Sequence, residues 1–176
     1  SATIRTAILA GGWSAGWRAR DMDHALLRLD GEGHVVRLGW NEDLLVHQVA
    51  ATVARLRAAG ISVVMVAPPP SPMFDAGMCH AARSSGKWMP LRPDCRTDPG
   101  EQADQRAALA RILGRIEREA DVAVFRFEPW LCGTGSCATE WQGRALFHDQ
   151  GHFSAPGFAP LAREIGLAAR LDALAR

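Results

Sequence analysis

The chain has 176 residues, of which 48% are hydrophobic and 22% charged, with a formal net charge of +1 at pH 7. That composition suits one domain with its own core, and the near-neutral charge supplies no basic field for nucleic acid or an acidic membrane surface. The longest apolar run, Ile61 to Ala67, stops at Pro68-Pro69-Pro70, well short of the roughly 20 residues that a membrane-spanning helix needs.

Ser1-Ala2-Thr3 has none of the features of a signal peptide and leads at once into a β-prone run, Ile4 to Ala10, so the chain reads as beginning partway through a longer protein. That run is a strand ending at Gly11-Gly12. Ala25 to Leu29 and His34 to Leu38 flank Asp30-Gly31-Glu32-Gly33, a hairpin signal. Asn41 is a good N-cap, Glu42 and Asp43 suit the positive end of a helix dipole, and Leu45, Val49, Val53 and Leu56 recur at helical spacing up to Gly60. Ile61 to Val66 is a continuous apolar strand of the kind buried in parallel sheets.

Pro68 to Pro99 reads as a long irregular segment. Asp98-Pro99 opens a second helix with Leu109, Ile112, Leu113 and Ile116 on one face, and Val122 to Phe127 is the next strand. A small hairpin is expected across Gly143, and a last helix from about Pro156 carries Phe158, Leu161, Ile165 and Leu171. Strands alternating with helices, without repeats or linkers, predict a single α/β domain over residues 1–176, a three-layer α/β/α arrangement with a parallel sheet. Sites in such sheets form at the carboxyl ends of the strands. The loops expected there, Gly11 to Trp17, Pro68 onward and Pro129 to His152, are those of unusual composition.

Asp149 stands three residues before His152 at the entrance to the last helix, a spacing that lets a carboxylate hold one ring nitrogen of an imidazole. The spacing alone discriminates little, because Asp21 and His24 repeat it in an ordinary loop. Gly12-Trp13-Ser14-Ala15-Gly16 matches the G-x-S-x-G elbow, which makes Ser14 a formal nucleophile; but no clear helix follows it, and too little chain precedes it for an α/β-hydrolase.

Cys79, Cys95, Cys132 and Cys137 allow three pairings. Their neighbours favour Cys79 with Cys95 and Cys132 with Cys137, which implies an oxidising compartment; reduced thiols in a cytosolic enzyme are the alternative. Cys132, Cys137, His148 and His152 approach a Cys₂His₂ zinc spacing, but Gly151 and Pro156 spoil the helix that would present both histidines. A disulfide beside an unrelated His148 is the plainer reading, so neither a metal nor a cofactor is expected. Trp13, Trp17, Trp40, Trp88, Trp130 and Trp141 are candidates for sugar stacking, although most tryptophans serve packing first.

Three stretches together resemble one family: Ala7-Ile8-Leu9-Ala10-Gly11-Gly12-Trp13-Ser14, the pair Cys132 to Cys137, and Gly143-Arg144-Ala145-Leu146-Phe147-His148-Asp149-Gln150-Gly151-His152-Phe153-Ser154. It is the SGNH (GDSL-like) hydrolase domain that many bacteria fuse behind a multi-pass membrane acyltransferase. The resemblance implies a flavodoxin-like sheet lacking, in this chain, its first strand and helix. It also implies a periplasmic or extracellular position tethered to the inner membrane by an upstream acyltransferase domain.

The same resemblance implies O-acetyl transfer, or ester hydrolysis, between an acyl donor and a cell-surface polysaccharide or peptidoglycan. Asp149 would be the triad acid and His152 the base, with the serine in a Gly-Asp-Ser block upstream of Ile4. Gly11, Gly12 and Trp13 fall in the oxyanion region, where Trp13 replaces the usual Asn. Two other readings are carried forward: a non-catalytic glycan-binding or structural domain, and a self-contained esterase using Ser14.

Overall fold

The computed structural model describes residues 4–11, 26–38, 41–72, 74–87, 94–97, 100, 103–133 and 136–176. In chain order the elements are β1 (Thr6–Ala10), β2 (Leu26–Leu29), β3 (Val35–Leu38), α1 (Glu42–Ala58), β4 (Ser62–Val66), α2 (Ala76–Ser84), α3 (Ala103–Ala120), β5 (Ala123–Phe125), α4 (Glu128–Leu131), β6 (Glu140–Trp141), β7 (Arg144–Ala145), α5 (Ala155–Glu164) and α6 (Leu167–Leu174). They fall into two compact units, one of Ser1–Ala67, Gln105–Val124 and Ala175–Arg176, the other of Pro68–Asp104 and Phe125–Leu174.

In the first unit β1 and β4 pair in parallel, from Thr6 opposite Ser62 to Ala10 opposite Val66, and the sheet order is β1-β4-β5. The fold is α/β with a parallel sheet, as expected. Asn41 caps α1 by accepting from the N–H of Leu44 at 2.9 Å, one of the helix's otherwise unpartnered first donors. Val46, Val49 and Val53 place one buried stripe along α1, and Ile112, Leu113 and Ile116 do the same on α3. These residues join Val63, Met65, Val122 and Val124 in one core. Burial of each such side chain contributes about 1.5–3 kcal/mol. Arg115 reaches Glu42 at 3.1 Å and Asp43 at 2.8 Å, tying α3 to the first turn of α1. The hairpin β2-β3 turns at Asp30, whose carboxylate accepts from the N–H groups of Glu32 and His34, and at Gly33, which has φ 87°.

The second unit departs from the sequence reading in three places. The segment read as irregular between Pro68 and Pro99 contains α2, capped by Asp75 through Met78 N–H at 2.7 Å. Its buried residues are the small Ala76 and Cys79, so it lacks the stripe of large apolar side chains by which a helix shows in sequence. A short helix, α4, also follows β5. The last helix is two helices, because the chain breaks at Ile165 and Gly166, the glycine at φ 62°. The hairpin across Gly143 forms as β6-β7, with Gln142 and Gly143 at φ 50° and 75°. Two successive left-handed residues make the turn that matches the twist of paired strands. Asp98 and Pro99 lie outside the described residues, and α3 is described from Ala103. Among the described residues no helix is long and apolar enough to cross a membrane.

Candidate active site

The loop His148 to His152 is closed by its neighbours. Phe147 and Phe153 form an antiparallel bridge, their rings stack 5.1 Å apart, and Phe153 stacks in turn on Phe158 at 4.5 Å. Phe147 is fully buried. Inside the bridge, His148 N–H donates to the carbonyl of His152 at 3.0 Å, and Ala76 N–H reaches the carbonyl of Asp149 at 3.4 Å. The start of α2 therefore supports the loop from behind. A methyl group added at Gly77 would lie 2.3 Å from the His148 carbonyl oxygen. Gly77→Ala is expected to destabilise by about 1–3 kcal/mol through overpacking against backbone, read as a lower melting temperature.

Within this loop Asp149 is fully engaged. One carboxylate oxygen accepts from the N–H groups of Gly151 and His152, each at 2.8 Å, and the other accepts from His152 Nδ1 at 2.7 Å. The two N–H bonds, followed by the imidazole bond, hold the Asp149 carboxyl far below the usual carboxylate range. His148 Nδ1 lies 3.5 Å from the same oxygen that orients His152, and the two imidazoles stack with centroids 5.5 Å apart. His152 is 79% exposed, so the ring edge opposite Asp149 is open to an incoming hydroxyl.

Ser154 fixes the exit from the loop. Its hydroxyl accepts from Gly157 N–H at 3.1 Å, donates to the Ala145 carbonyl, and so caps α5. Ser154→Ala is expected to cost about 1 kcal/mol, the usual loss for an N-cap, measured by denaturant titration. Gly157 is required for a different reason, since a Cβ there would meet the Ala145 carbonyl oxygen at 2.2 Å.

The structure thus brings Asp149 and His152 together. Gly11 is an exposed residue just past β1, whereas Gly12, Trp13 and Ser14 lie outside the described residues, as do Asp21 and His24. The cysteine sulfurs stand at bonding distance as Cys79 with Cys95, at 2.02 Å, and Cys132 with Cys137, at 2.11 Å. Disulfide sulfurs are not the thiolates that bind zinc, so the Cys₂His₂ reading loses two of its ligands.

Two supporting residues were not singled out in the sequence: Gly77, and Ser71, whose Oγ would lie 3.7 Å from a Cβ at Gly151 and which donates to the Pro69 carbonyl. The cap at Asp75 is the signal that exposes α2 and hence Gly77. A cavity of about 650 Å³ also lies in this unit, lined by His80, Arg83, Asp94, Arg96, Thr139 and Glu140 among others. Burial pushes the His80 imidazole down, against the upward pull of Glu140, while its Nε2 bonds the Thr139 hydroxyl at 3.0 Å. Of the tryptophans described, Trp130 packs against Phe125 and under Arg170, and Trp141 donates to Glu164. Trp13, Trp17, Trp40 and Trp88 lie outside the described residues.

No match is found among curated proteins or among solved structures. The family model described as "SGNH domain (fused to AT3 domains)" matches residues 1–166. The fold of that family is flavodoxin-like α/β, which agrees with the parallel sheet. On this match across nearly the whole chain, the protein belongs to the SGNH domains that are fused to AT3 domains.

Proposed function

We propose that this domain transfers an O-acyl group to a carbohydrate, or removes one, through a serine, His152 and Asp149. Family membership supports esterase or acyltransferase chemistry. The observation that carries the reading is the 2.7 Å bond from His152 Nδ1 to a carboxylate kept ionised by two backbone N–H groups. The serine is assigned to sequence upstream of Ile4. Its hydroxyl attacks the carbonyl of the acyl donor, His152 takes the hydroxyl proton, and the imidazolium returns that proton to the departing donor group. A sugar hydroxyl or water then attacks the acyl-serine. His152 takes the proton of that nucleophile and passes it to the serine oxygen as the ester bond breaks. Asp149 holds the ring and stabilises its cationic form throughout.

The carbohydrate acceptor is carried by the family resemblance alone, since the lining of the cavity beside His80 includes neither Asp149 nor His152. The AT3 fusion and the cysteine pairs support a parent anchored in the inner membrane with this domain on its oxidising, periplasmic side. No cofactor is invoked. A fluorophosphonate probe tests the assignment. We expect label on an upstream serine in the full polypeptide and none in this chain; label on Ser14 or Ser71 would refute it. A glycan-binding module would instead leave acyl transfer unaffected by Asp149→Ala and His152→Ala.

A further inference from the structure

The geometry points to a divalent-cation site formed by His148, Asp149 and His152, suited to zinc, which blocks the dyad when filled. One ligand atom from each of the three side chains lies within 4.8 Å of the other two. Tetrahedral zinc, with bonds of about 2.0–2.2 Å, holds its ligand atoms roughly 3.4 Å apart. The separations of the two Nδ1 atoms from the shared Asp149 oxygen, 2.7 and 3.5 Å, bracket that value. The separation between the two histidine ligand atoms is at most 4.8 Å, and both exposed imidazoles can turn towards the same value.

Two imidazoles and one carboxylate are a donor set that zinc favours over the hard cations. Backbone bonds at both ends of the loop hold the three residues in place, so little ordering entropy opposes binding. The exposure of His148, at 60%, and of His152, at 79%, leaves room for water to complete the coordination. His148 has no part in the proton transfers above, and this gives it one. A bound zinc takes the Asp149 oxygen that orients His152 and occupies a nitrogen of its ring, which can then no longer relay a serine proton.

Only the inhibitory consequence rests on the proposed function; binding does not. The test is competition of this chain against a chromogenic chelator for Zn²⁺, with His148→Ala and His148→Gln as variants. One zinc per chain is expected, with affinity falling at least about tenfold in both variants. In the full polypeptide the ratio of acyl turnover with and without zinc should fall in the wild type and stay near one in the variants, so that any change in basal rate divides out. Absence of zinc binding, or equal affinity in the variants, would overturn the site. Binding that depends on His148 without any effect on a measurable turnover would overturn the blocking role. Binding in a polypeptide with no acyl activity under any condition would sink the catalytic reading and leave the site standing.

Discussion

Replacing His152 by alanine in the polypeptide that carries this domain is expected to lower acyl turnover by about 10⁴-fold, with the loss in kcat rather than KM. The reason is geometric. Its imidazole is the group held at 2.7 Å by an ionised carboxylate while remaining exposed on its far side. Asp149→Asn should cost a similar factor, because an amide does not stabilise the imidazolium and can hold the ring in the wrong tautomer. The two losses are expected to be far from additive in the double variant, since the residues act as a unit. Steady-state kinetics with an activated acetyl ester would measure all three, and equal rates in wild type and variants would exclude the dyad.

The acid behaviour of Asp149 separates its two roles. Its folded pKa lies below the ordinary value of 3.8 because the Gly151 and His152 N–H groups, and then the His152 ring, bond the ionised form. Its contribution to stability is thus complete above about pH 5 and is lost as pH falls through the folded value. Any acid limb of the rate profile at neutral or mildly acidic pH is consequently not a titration of Asp149.

The sequence revealed elements whose side chains are large and periodic. Asn41 and the valine stripe of α1 did so, as did the apolar run that became β4. It concealed α2, because helix packing through Ala76, Gly77 and Cys79 leaves no hydrophobic period to read. It also merged α5 with α6, since an apolar repeat continues across Gly166 and only its positive φ marks the break. At the site, Asp149-x-x-His152 was legible as a spacing yet no more specific than Asp21-x-x-His24. What holds its loop in place is packing that the spacing does not record. The bridge between Phe147 and Phe153 and the close approach of Gly77 to His148 fix the loop, and neither is written in local sequence.

Removing the link between Cys79 and Cys95 is expected to be the most destabilising change in the second unit. The residues are 16 apart, for which loss of loop constraint in the unfolded chain is worth about 3 kcal/mol. The pair Cys132 and Cys137, five apart, gives about 2 kcal/mol on the same basis. Burial adds to the difference, since Cys79 and Cys95 are 0% and 1% exposed and their replacement by serine places two hydroxyls in the interior, whereas only Cys137 of the second pair is buried. The neighbouring bonds also depend on this link: the Cys95 carbonyl accepts from the Thr139 hydroxyl, and Thr97 bonds both the N–H and the carbonyl of Cys137. Those bonds lace the two cysteine loops, so loosening one frees the other. Because Gly77 and Cys79 share one turn of α2, the His148 to His152 loop should lose its support as well. Denaturant unfolding of Cys79→Ser/Cys95→Ser and Cys132→Ser/Cys137→Ser would rank the two. The first should fall by at least about 3 kcal/mol and lose acyl activity at temperatures where the second keeps it. A smaller loss for the first pair would show that α2 is held by its cap and by Gly77 rather than by the disulfide.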